Sequence, residues 1–566
     1  MDIKLSHFNG GIHLDDHKAE SLTQPLQIAS LPDQLILPLK QHIGESNKAL
    51  INVGDRVLRG QLIAGSSSPI SAPIHAPTSG VVSAIEPHLV PHASGQSAEC
   101  IVIDVDGKDE SIEFDAIDVS QMQATDMIDH IRRLGVVGLG GASFPTSPKL
   151  SRGNDLGIDT LIINGAECEP YITCDDSLMQ LQADEIVRGI GYLQRMLMPT
   201  KTLIGIEDNK PKAIEAMTLA LESHAHSESQ SQALINTAVV SIPTVYPSGG
   251  EKQLIQILTG KEIPTGRLAF DIGIFCQNVG TCVAITQALE LNHPLMSRTV
   301  TVSGDGVLKP GNWKVRLGTP IKHLIGLAGG YVQNDINKPG PNIHDKAQQH
   351  LVMGGPMMGF SLSSDEVPIV KASNNILVMQ KQLIAQKPGI HDECVRCGKC
   401  AEVCPAQLLP QQLYWHSRSK EYDKVEEYNL FDCIECGCCS AVCPSQIPLV
   451  QYYRASKGEI RATQQATFKS DRARVRFEFR EKRLLLKKQQ EEEKRRLKRE
   501  ALLKKSAAKK VDNKVDDPVQ AALDRIKAKK GAQVTEAKNI TSLTPGQQKQ
   551  IDEADARRRA AREQKA

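Results

Sequence analysis

Short apolar runs separated by turn residues fill the first part of the chain. The runs LIAG (62–65), GVVSAI (80–85) and CIVIDV (100–105) alternate with turn sequences such as VGD and APTSG. Apolar runs between clusters of glycine, proline and serine are typical of β-strands joined by tight turns. The pattern predicts an all-β module over residues 28–115, after an N-terminal segment of residues 1–27.

Strand-like and helix-like patterns alternate over residues 120–295. The runs DTLIING (159–165), KTLIGIED (201–208) and TAVVSIP (237–243) are rich in β-branched residues, whereas TDMIDHIRRLG (125–135) has helical spacing and ends in glycine. Strands that alternate with helices predict an α/β domain with a parallel sheet.

Three further segments complete the predicted organisation. Residues 298–382 begin with two strand-like runs and a helix-like run from about Pro320, which is the outline of a β-grasp domain. Residues 383–460 hold most of the cysteines. Residues 461–566 are rich in Lys, Arg, Glu and Ala with only a thin apolar stripe, which predicts a solvated helical or disordered tail. The predicted fold class is therefore multidomain α/β and α+β.

Length and charge narrow the class of protein. A chain of 566 residues exceeds what one hydrophobic core supports. The chain has 67 Lys+Arg and 66 Asp+Glu residues, and residues 471–566 hold 29 of the basic and 16 of the acidic ones. The net charge is therefore +13 for this segment and −12 for the rest of the chain. No apolar run approaches the ~18–20 residues that span a bilayer, and the start lacks a secretory signal. We therefore expect neither an integral membrane protein nor a secreted one.

Cysteine spacing gives the strongest chemical signal. Nine of the 14 cysteines lie in Cys394–Cys443, where the spacing C-x2-C-x2-C-x3-C-P occurs twice. In two-cluster bacterial ferredoxins the first three cysteines of each motif bind one [4Fe–4S] cluster and the fourth binds the other. Zinc is the weaker alternative, because its sites usually lack the third cysteine and the trailing Cys-Pro. The predicted ligand sets are Cys394, Cys397, Cys400 and Cys443 for one cluster, and Cys433, Cys436, Cys439 and Cys404 for the second. Cys438 falls outside the spacing and is predicted to be a free thiol.

Two weaker motifs lie in the α/β region. Residues 135–149 are too glycine-dense for a helix or strand, and such a loop lets backbone N–H groups approach a phosphate, with Lys149 as a counter-charge. It is not the Rossmann fingerprint, and a structural turn is the alternative. Glu167 and Glu169 follow a predicted strand, where α/β sheets bind ligands. They could bind ribose hydroxyls or a nicotinamide amide, or be ordinary surface acids.

These motifs, with YPSGGEKQLI (246–255) and QNVGT (277–281), together resemble the flavin- and NADH-binding subunit of respiratory complex I. The resemblance implies FMN as a cofactor and NADH as the substrate, and it assigns no catalytic residue. It implies that Gly138, Gly140, Gly141 and Lys149 contact the FMN phosphate. It implies that Asn164 and Asn278 contact the flavin. For NADH it implies contacts from Phe144, Glu167, Glu169 and Glu251.

The order of all the modules extends this resemblance. The N-terminal β-module resembles the barrel-sandwich hybrid of lipoyl and biotinyl carriers, but its connecting stretch (65–75) has no lysine to carry a prosthetic group, which predicts a structural or docking role. With the β-grasp (SLBB-like) and two-cluster ferredoxin segments, residues 7–455 resemble the RnfC/RsxC-type subunits of the Rnf ion-translocating electron transport complexes.

That resemblance implies a translocase-type oxidoreductase subunit that couples electron transfer to ion translocation. It implies integral membrane and iron–sulfur or flavin partner subunits (Rnf A, B, D, E and G types), no nucleic-acid partner, and a peripheral place on the cytoplasmic side of the cell inner membrane.

Two alternatives stay open at the level of sequence. One is a flavin and iron–sulfur cobalamin reductase, whose known forms are not expected to carry so long a basic tail. The other is an electron-relay adaptor that binds no NADH, which is suggested because Ala166 and Gly250 stand where the complex I flavoprotein has acidic residues. Flavin content separates the adaptor from both enzymes, and genomic neighbours that encode membrane subunits separate the enzymes.

Overall fold

The computed structural model describes residues 3–225, 234, 236–332, 349–380 and 392–509, together with 519, 522, 523, 525 and 526. The chain forms two compact units, residues 1–464 and 465–566. The first unit contains four modules that follow one another along the sequence. The second unit contains the basic tail. The predicted start of the cysteine-rich segment at 383 and most of the predicted tail beyond residue 509 lie outside the described residues.

The N-terminal module is built from short strands that pair antiparallel. One sheet has the order β2-β8-β7-β4 and a second has the order β3-β5-β6, whereas β1 lies elsewhere. Leu35, Ile63 and Ile101 are buried between the two sheets. The strands are β1 (Gln27–Ile28), β2 (Gln34–Pro38), β3 (Lys48–Ala49), β4 (Arg56–Val57), β5 (Leu62–Gly65), β6 (Ile74–His75), β7 (Gly80–Leu89) and β8 (Ser97–Val105).

The second module is an α/β domain whose four parallel strands have the order β11-β10-β9-β12. All four strands carry β-branched apolar residues because helices cover both faces of the sheet. The strands are β9 (Thr160–Asn164), β10 (Lys201–Glu207), β11 (Thr237–Ile242) and β12 (Ile274–Asn278); the helices are α1 (Ala124–Arg133), α2 (Thr146–Leu156), α3 (Cys174–Leu181), α4 (Ala183–Leu197), α5 (Pro211–Ala225), α6 (Glu251–Thr259) and α7 (Val279–Leu291).

The third module is a mixed sheet with one helix against it. Its order is β1-β14-β13-β17-β15-β16, so the N-terminal strand β1 pairs parallel to β14 and joins this sheet, not the barrel. Trp313, Val300 and Ile325 form its core. The added elements are β13 (Ser297–Ser303), β14 (Gly311–Arg316), α8 (Ile321–Leu327), β15 (Gln349–Met353), β16 (Phe360–Ser361) and β17 (Asn375–Gln380).

The fourth module is a set of short helices around two cysteine-lined cavities. Leu413, Tyr414 and Tyr453 are buried at its centre. Its helices are α9 (Lys399–Glu402), α10 (Pro410–Arg418), α11 (Tyr422–Glu427), α12 (Cys438–Ala441) and α13 (Leu449–Lys509). In α13 every described side chain from residue 461 to 506 is exposed, as its thin apolar stripe predicts. Across the part of the chain that is described, no helix combines the length and the apolar character that crossing a bilayer requires.

The N-terminal segment joins two of the modules. The amide of Gly11 donates to the backbone oxygen of Val403 (3.0 Å), and Ile12 pairs with Tyr246 in an isolated bridge. Gly10 has φ +68°, and a Cβ there would lie 2.6 Å from the Val403 backbone. Only glycine therefore permits this close approach between residues 7–13 (HFNGGIH) and the cysteine-rich module.

Candidate flavin and iron–sulfur sites

A cavity of about 790 Å³ lies at the carboxyl ends of β9 and β12. Loops of the α/β domain, the turn after β15 and residues 370 and 372–374 of the third module form most of its wall, and Pro91 and Ile434 also line it. The structure brings all ten residues that the resemblance implied for cofactor binding to this one cavity: Gly138, Gly140, Gly141, Phe144, Lys149, Asn164, Glu167, Glu169, Glu251 and Asn278.

The glycine loop presents free backbone amides to this cavity. The amide of Gly138 donates to the backbone oxygen of Phe144 (2.8 Å), and that of Leu139 donates to Thr281 Oγ1 (2.9 Å). The next three amides, those of residues 140–142, have no hydrogen-bond partner among the described residues. Gly141 has φ +114° and open space around its Cα, so a bulky group can approach the backbone closely.

Buried polar side chains without partners surround the same loop. Within the described residues, Ser143 Oγ, Thr146 Oγ1, Gln253 Oε1 and Gln277 Nε2 have no hydrogen-bond partner, and all four residues are at most 5% exposed. Buried polar groups in native proteins are almost always hydrogen-bonded, so such a set points to a ligand. Ser143, Gln253 and Gln277 of this set line the cavity, and their unsatisfied groups together with the free amides fit a phosphorylated flavin.

Lys149 is held by other groups of the α/β domain. Its ammonium donates to the backbone oxygen of Cys276 (2.6 Å) and pairs with Glu251 (3.3 Å). The ring centroid of Phe275 lies 5.1 Å away. The carboxylate of Glu251 therefore already offsets part of the positive charge of Lys149.

Two asparagines fix the ends of the central strands. Asn164 donates to the backbone oxygen of Gly249 (2.9 Å), whereas Asn278 donates to Asp175 Oδ2 (2.6 Å) and accepts from the amide of Gly280 as the N-cap of α7. They are paired neighbours on β9 and β12. The carboxyl ends of β9 and β12, which carry these two side chains, are therefore preorganised for a polar ligand.

Glu167 lies in a left-handed backbone conformation, with φ +48°. Its carboxylate accepts from the amides of Asp175 (2.7 Å) and Asp176 (3.1 Å) at the N-terminus of α3. Burial raises the pKa of Glu167; burial and then the charge of Glu167 raise the pKa of Asp175. Sequence reasoning missed Asp175, although the acidic pair Asp175–Asp176 at a helix start was a usable signal.

Lys18 is a second residue that sequence reasoning missed. Its buried ammonium donates to the backbone oxygens of Glu167 (2.8 Å), Glu169 (2.9 Å) and Ile172 (2.5 Å). Burial lowers the pKa of this lysine, and the nearby Glu167 opposes that shift. Lys18 therefore holds the whole loop that carries both predicted glutamates.

Glu169 connects the cavity to the cysteine-rich module. Its Oε1 accepts from the amides of Met357 (2.7 Å) and Met358 (2.9 Å), and these donors oppose the rise in pKa that burial causes. The Tyr246 side chain lies against this carboxylate, and its hydroxyl donates to the backbone oxygen of Cys436 (2.7 Å). The Tyr246 side chain thus contacts both a lining residue of the flavin cavity and a predicted cluster ligand.

The eight predicted cluster ligands divide between two separate cavities as the spacing predicts. One cavity is lined by Cys394, Cys397, Cys400 and Cys443. The other is lined by Cys404, Cys433, Cys436 and Cys439. Four convergent thiols in a nearly apolar cavity are the donor set of a [4Fe–4S] cluster.

Cys438 also lines the second cavity and is fully buried. It begins α12 next to Cys439, and its thiol is hydrogen-bonded to that of Cys436. That bond is the main cause of the raised pKa of Cys438, followed by burial. The assignment of Cys438 as a free thiol stays a prediction.

The second cysteine cavity adjoins the flavin cavity. Ile434 lines both, and Met357 contacts the backbone of Gly437. Within the described part of the chain, the first cysteine cavity shares no lining residue with the flavin cavity, and its Cys397 is exposed. The geometry therefore distinguishes a cluster site beside the flavin cavity from one beside the surface.

Comparison with known families agrees with each module. The matching family models are the RnfC barrel sandwich hybrid domain (residues 6–108), the Nuo51 FMN-binding domain (131–287), the SLBB domain (299–361) and the 4Fe-4S dicluster domain (393–447). These domains define a flavin and iron–sulfur electron-transfer protein. The predicted fold class and the predicted FMN and [4Fe–4S] cofactors are confirmed.

Similar proteins from several bacteria share one name. The C-type subunit of the ion-translocating oxidoreductase complex of Serratia proteamaculans is 45% identical over 567 residues, which cover 100% of this chain and 75% of that protein. Its counterpart from Yersinia pestis is 47% identical over 486 residues, with coverages of 85% and 74%. The chain belongs to this family of C-type (RnfC) subunits of the ion-translocating oxidoreductase complexes. The predicted family and the translocase-type oxidoreductase class are confirmed, and the two alternatives are not favoured.

Among solved structures, an NAD⁺-reducing [NiFe]-hydrogenase in the H2-reduced state matches with a TM-score of 0.41 and 16% identity, over 61% of this chain and 66% of that one. The air-oxidized state matches with a TM-score of 0.40 and 18% identity, over 54% of each chain.

Proposed function

We propose that this chain is the NADH-oxidising subunit of its complex and delivers single electrons to partner subunits. FMN supplies, when bound, the conversion between the two electrons of a hydride and the single electrons that [4Fe–4S] clusters carry. The observation that carries the proposal is the convergence of all ten implied contact residues on one cavity next to a four-cysteine cavity.

The residues divide the work of the flavin cavity. The free amides of the glycine loop bind the flavin phosphate, while Asn164 and Asn278 orient the ring system from the sheet edge. Phe144 offers an aromatic face to the nicotinamide. Glu167 and Glu169 bind polar groups of NADH, because both carboxylates line the cavity and are held by backbone amides.

The cysteine sets act as two relay sites. Cys404, Cys433, Cys436 and Cys439 hold the cluster beside the flavin cavity, and Cys394, Cys397, Cys400 and Cys443 hold the cluster beside the surface. Because Cys397 is exposed, a partner subunit can exchange electrons with the cluster beside the surface.

The domain limits and partners complete the proposal. The modules are residues 28–115, 120–295, 298–382 and 383–460, between the terminal segments 1–27 and 461–566. The partners are integral membrane and iron–sulfur or flavin subunits of the Rnf A, B, D, E and G types, on the cytoplasmic side of the inner membrane. Support comes from the family membership and from the basic tail, which favours an anionic surface.

An anaerobic titration of the purified, FMN-loaded protein with NADH tests the proposal. Bleaching of the flavin absorbance by NADH is the expected result, with Lys18→Met as a variant that releases the glutamate loop and slows bleaching. A flavin that stays oxidised in the wild-type protein while dithionite bleaches it would refute NADH oxidation and favour the adaptor. Recovery with integral membrane subunits from detergent-solubilised membranes tests the partners.

A further inference from the structure

Two buried cations of the third module lie behind the glycine loop. Lys371, which is 1% exposed, donates to the backbone oxygens of Gly135 (2.7 Å) and Pro73 (2.8 Å). Arg298, on β13 and 6% exposed, donates to the backbone oxygens of Leu139 (3.3 Å) and of Lys371 itself. The two side chains therefore hold carbonyl groups at the start of the loop, on the side away from the free amides.

Neither cation forms an ion pair with a carboxylate among the described residues. Asp175 acts on Arg298 electrostatically without direct contact. Lys371 faces His42 and His75, and burial first and Lys371 second lower the pKa of both imidazoles, so neither contributes positive charge at neutral pH. Burial lowers the pKa of Lys371 to about 7 and also lowers that of Arg298.

Burying a cation without an anion is costly, so proteins usually supply one. Lys149, the cation that the sequence motif offers to the phosphate, is already paired with Glu251. Arg298 and Lys371 are buried against this loop without a carboxylate partner among the described residues, and the ligand that best complements them is a dianionic phosphate on its amide face.

We propose that Arg298 and Lys371 are positioning residues for the flavin: they tie back the loop carbonyls so that the amides face the cavity, and they supply counter-charge to the flavin phosphate. This inference rests on the proposed flavin site. It makes FMN binding depend on the third module as well as on the α/β domain, and Lys371 joins both of these to the barrel through Pro73.

Binding of FMN and of riboflavin, which lacks the phosphate, to the full-length protein tests the inference. In Lys371→Met and in Arg298→Gln, FMN affinity should fall by about tenfold or more, because each variant removes one positive charge from behind the phosphate loop, while riboflavin affinity stays at the wild-type value. Arg316→Gln is the matched control: this arginine belongs to the same module but is paired with Asp109, so both affinities should be unchanged.

Iron content and the thermal midpoint of each variant show that the fold is intact. Equal FMN affinity in both variants and the wild type would overturn the inference and leave the flavin site itself standing. Equal weakening of FMN and riboflavin would also overturn it, because the two residues would then shape the loop without acting on the phosphate. A wild-type protein that binds neither flavin would instead refute the proposed function.

Discussion

Gly355 allows one added methyl group to test the proposed role of Glu169. The residue is buried in the turn after β15, and an alanine Cβ there would lie 2.7 Å from Cδ of Glu169 and overlap the rest of that side chain. Because the obstacle is the rigidly held part of the glutamate, the carboxylate must leave the amides of Met357 and Met358.

The magnitude follows from those two contacts. A hydrogen bond to a charged group contributes about 1.5–3 kcal/mol, and two are lost in Gly355→Ala. The carboxylate of Glu169 is partly exposed, so water replaces part of the lost hydrogen-bond energy. The expected decrease in the free energy of unfolding is therefore about 3 kcal/mol. Gly326→Ala is the matched control: its Cβ meets open space on the exposed face of α8, where alanine is better than glycine by up to about 1 kcal/mol.

Differential scanning calorimetry and NADH-driven flavin bleaching measure the two effects. Gly355→Ala should lower the unfolding midpoint by about 5 °C or more and slow the bleaching, whereas Gly326→Ala should leave the midpoint equal or higher and the bleaching rate unchanged. If both variants matched the wild type in midpoint and in bleaching, the clash, and with it the assignment of Glu169 to the NADH site, would be wrong.

Four further predictions concern other parts of the chain. Cys397→Ser should halve the iron content, from about eight to about four atoms per chain, and remove one low-temperature EPR signal, whereas Cys438→Ser should leave iron unchanged; a loss of iron there would show a wrong ligand register. Lys149→Glu should weaken FMN binding, measured by fluorescence, because it places a second carboxylate beside Glu251; an unchanged affinity would remove Lys149 from the phosphate site. Since the pKa of Lys371 is lowered to about 7 and FMN phosphate is already ionised above about pH 6, FMN affinity should fall as the pH rises from neutral towards 9 and the lysine loses its proton. Lys371→Met should abolish that pH dependence, and a fall that persists in the variant would contradict the assignment. Deletion of residues 461–566 should reduce salt-sensitive membrane association in cell fractionation; a truncated protein that stays bound regardless of salt would show that the tail is not the anchor.

Local patterns predicted the parts of the fold that depend on neighbouring residues. The runs at 159–165, 201–208 and 237–243 became β9, β10 and β11 because β-branched residues suit a sheet covered on both faces. The cysteine sets were likewise predictable, since the ligand spacing lies within a few residues. The short strand β12, by contrast, is defined by its pairing with β9, which lies more than a hundred residues earlier.

The charged groups that hold the site could not be predicted in the same way. Lys18 contacts carbonyl groups about 150 residues further along the chain, and Lys371 contacts one 236 residues before it. A lysine in a sequence is most often a solvated surface residue, and only the fold shows that these two are buried. The pairing of Lys149 with Glu251 was unpredictable for the same reason, because these residues of α2 and α6 are 102 positions apart in the sequence.

Freeze-quench EPR after mixing with NADH tests the central claim, that electrons from NADH reach both clusters within this one chain. In the FMN-loaded wild-type protein, NADH should produce the signals of reduced [4Fe–4S] clusters. The same protein without FMN should produce no such signals. Cys404→Ser alters the cluster beside the flavin cavity, so the signal of the cluster beside the surface should appear more slowly. Reduction of the clusters by NADH in the absence of flavin, or a fully reduced flavin beside clusters that stay oxidised although dithionite reduces them, would contradict the account.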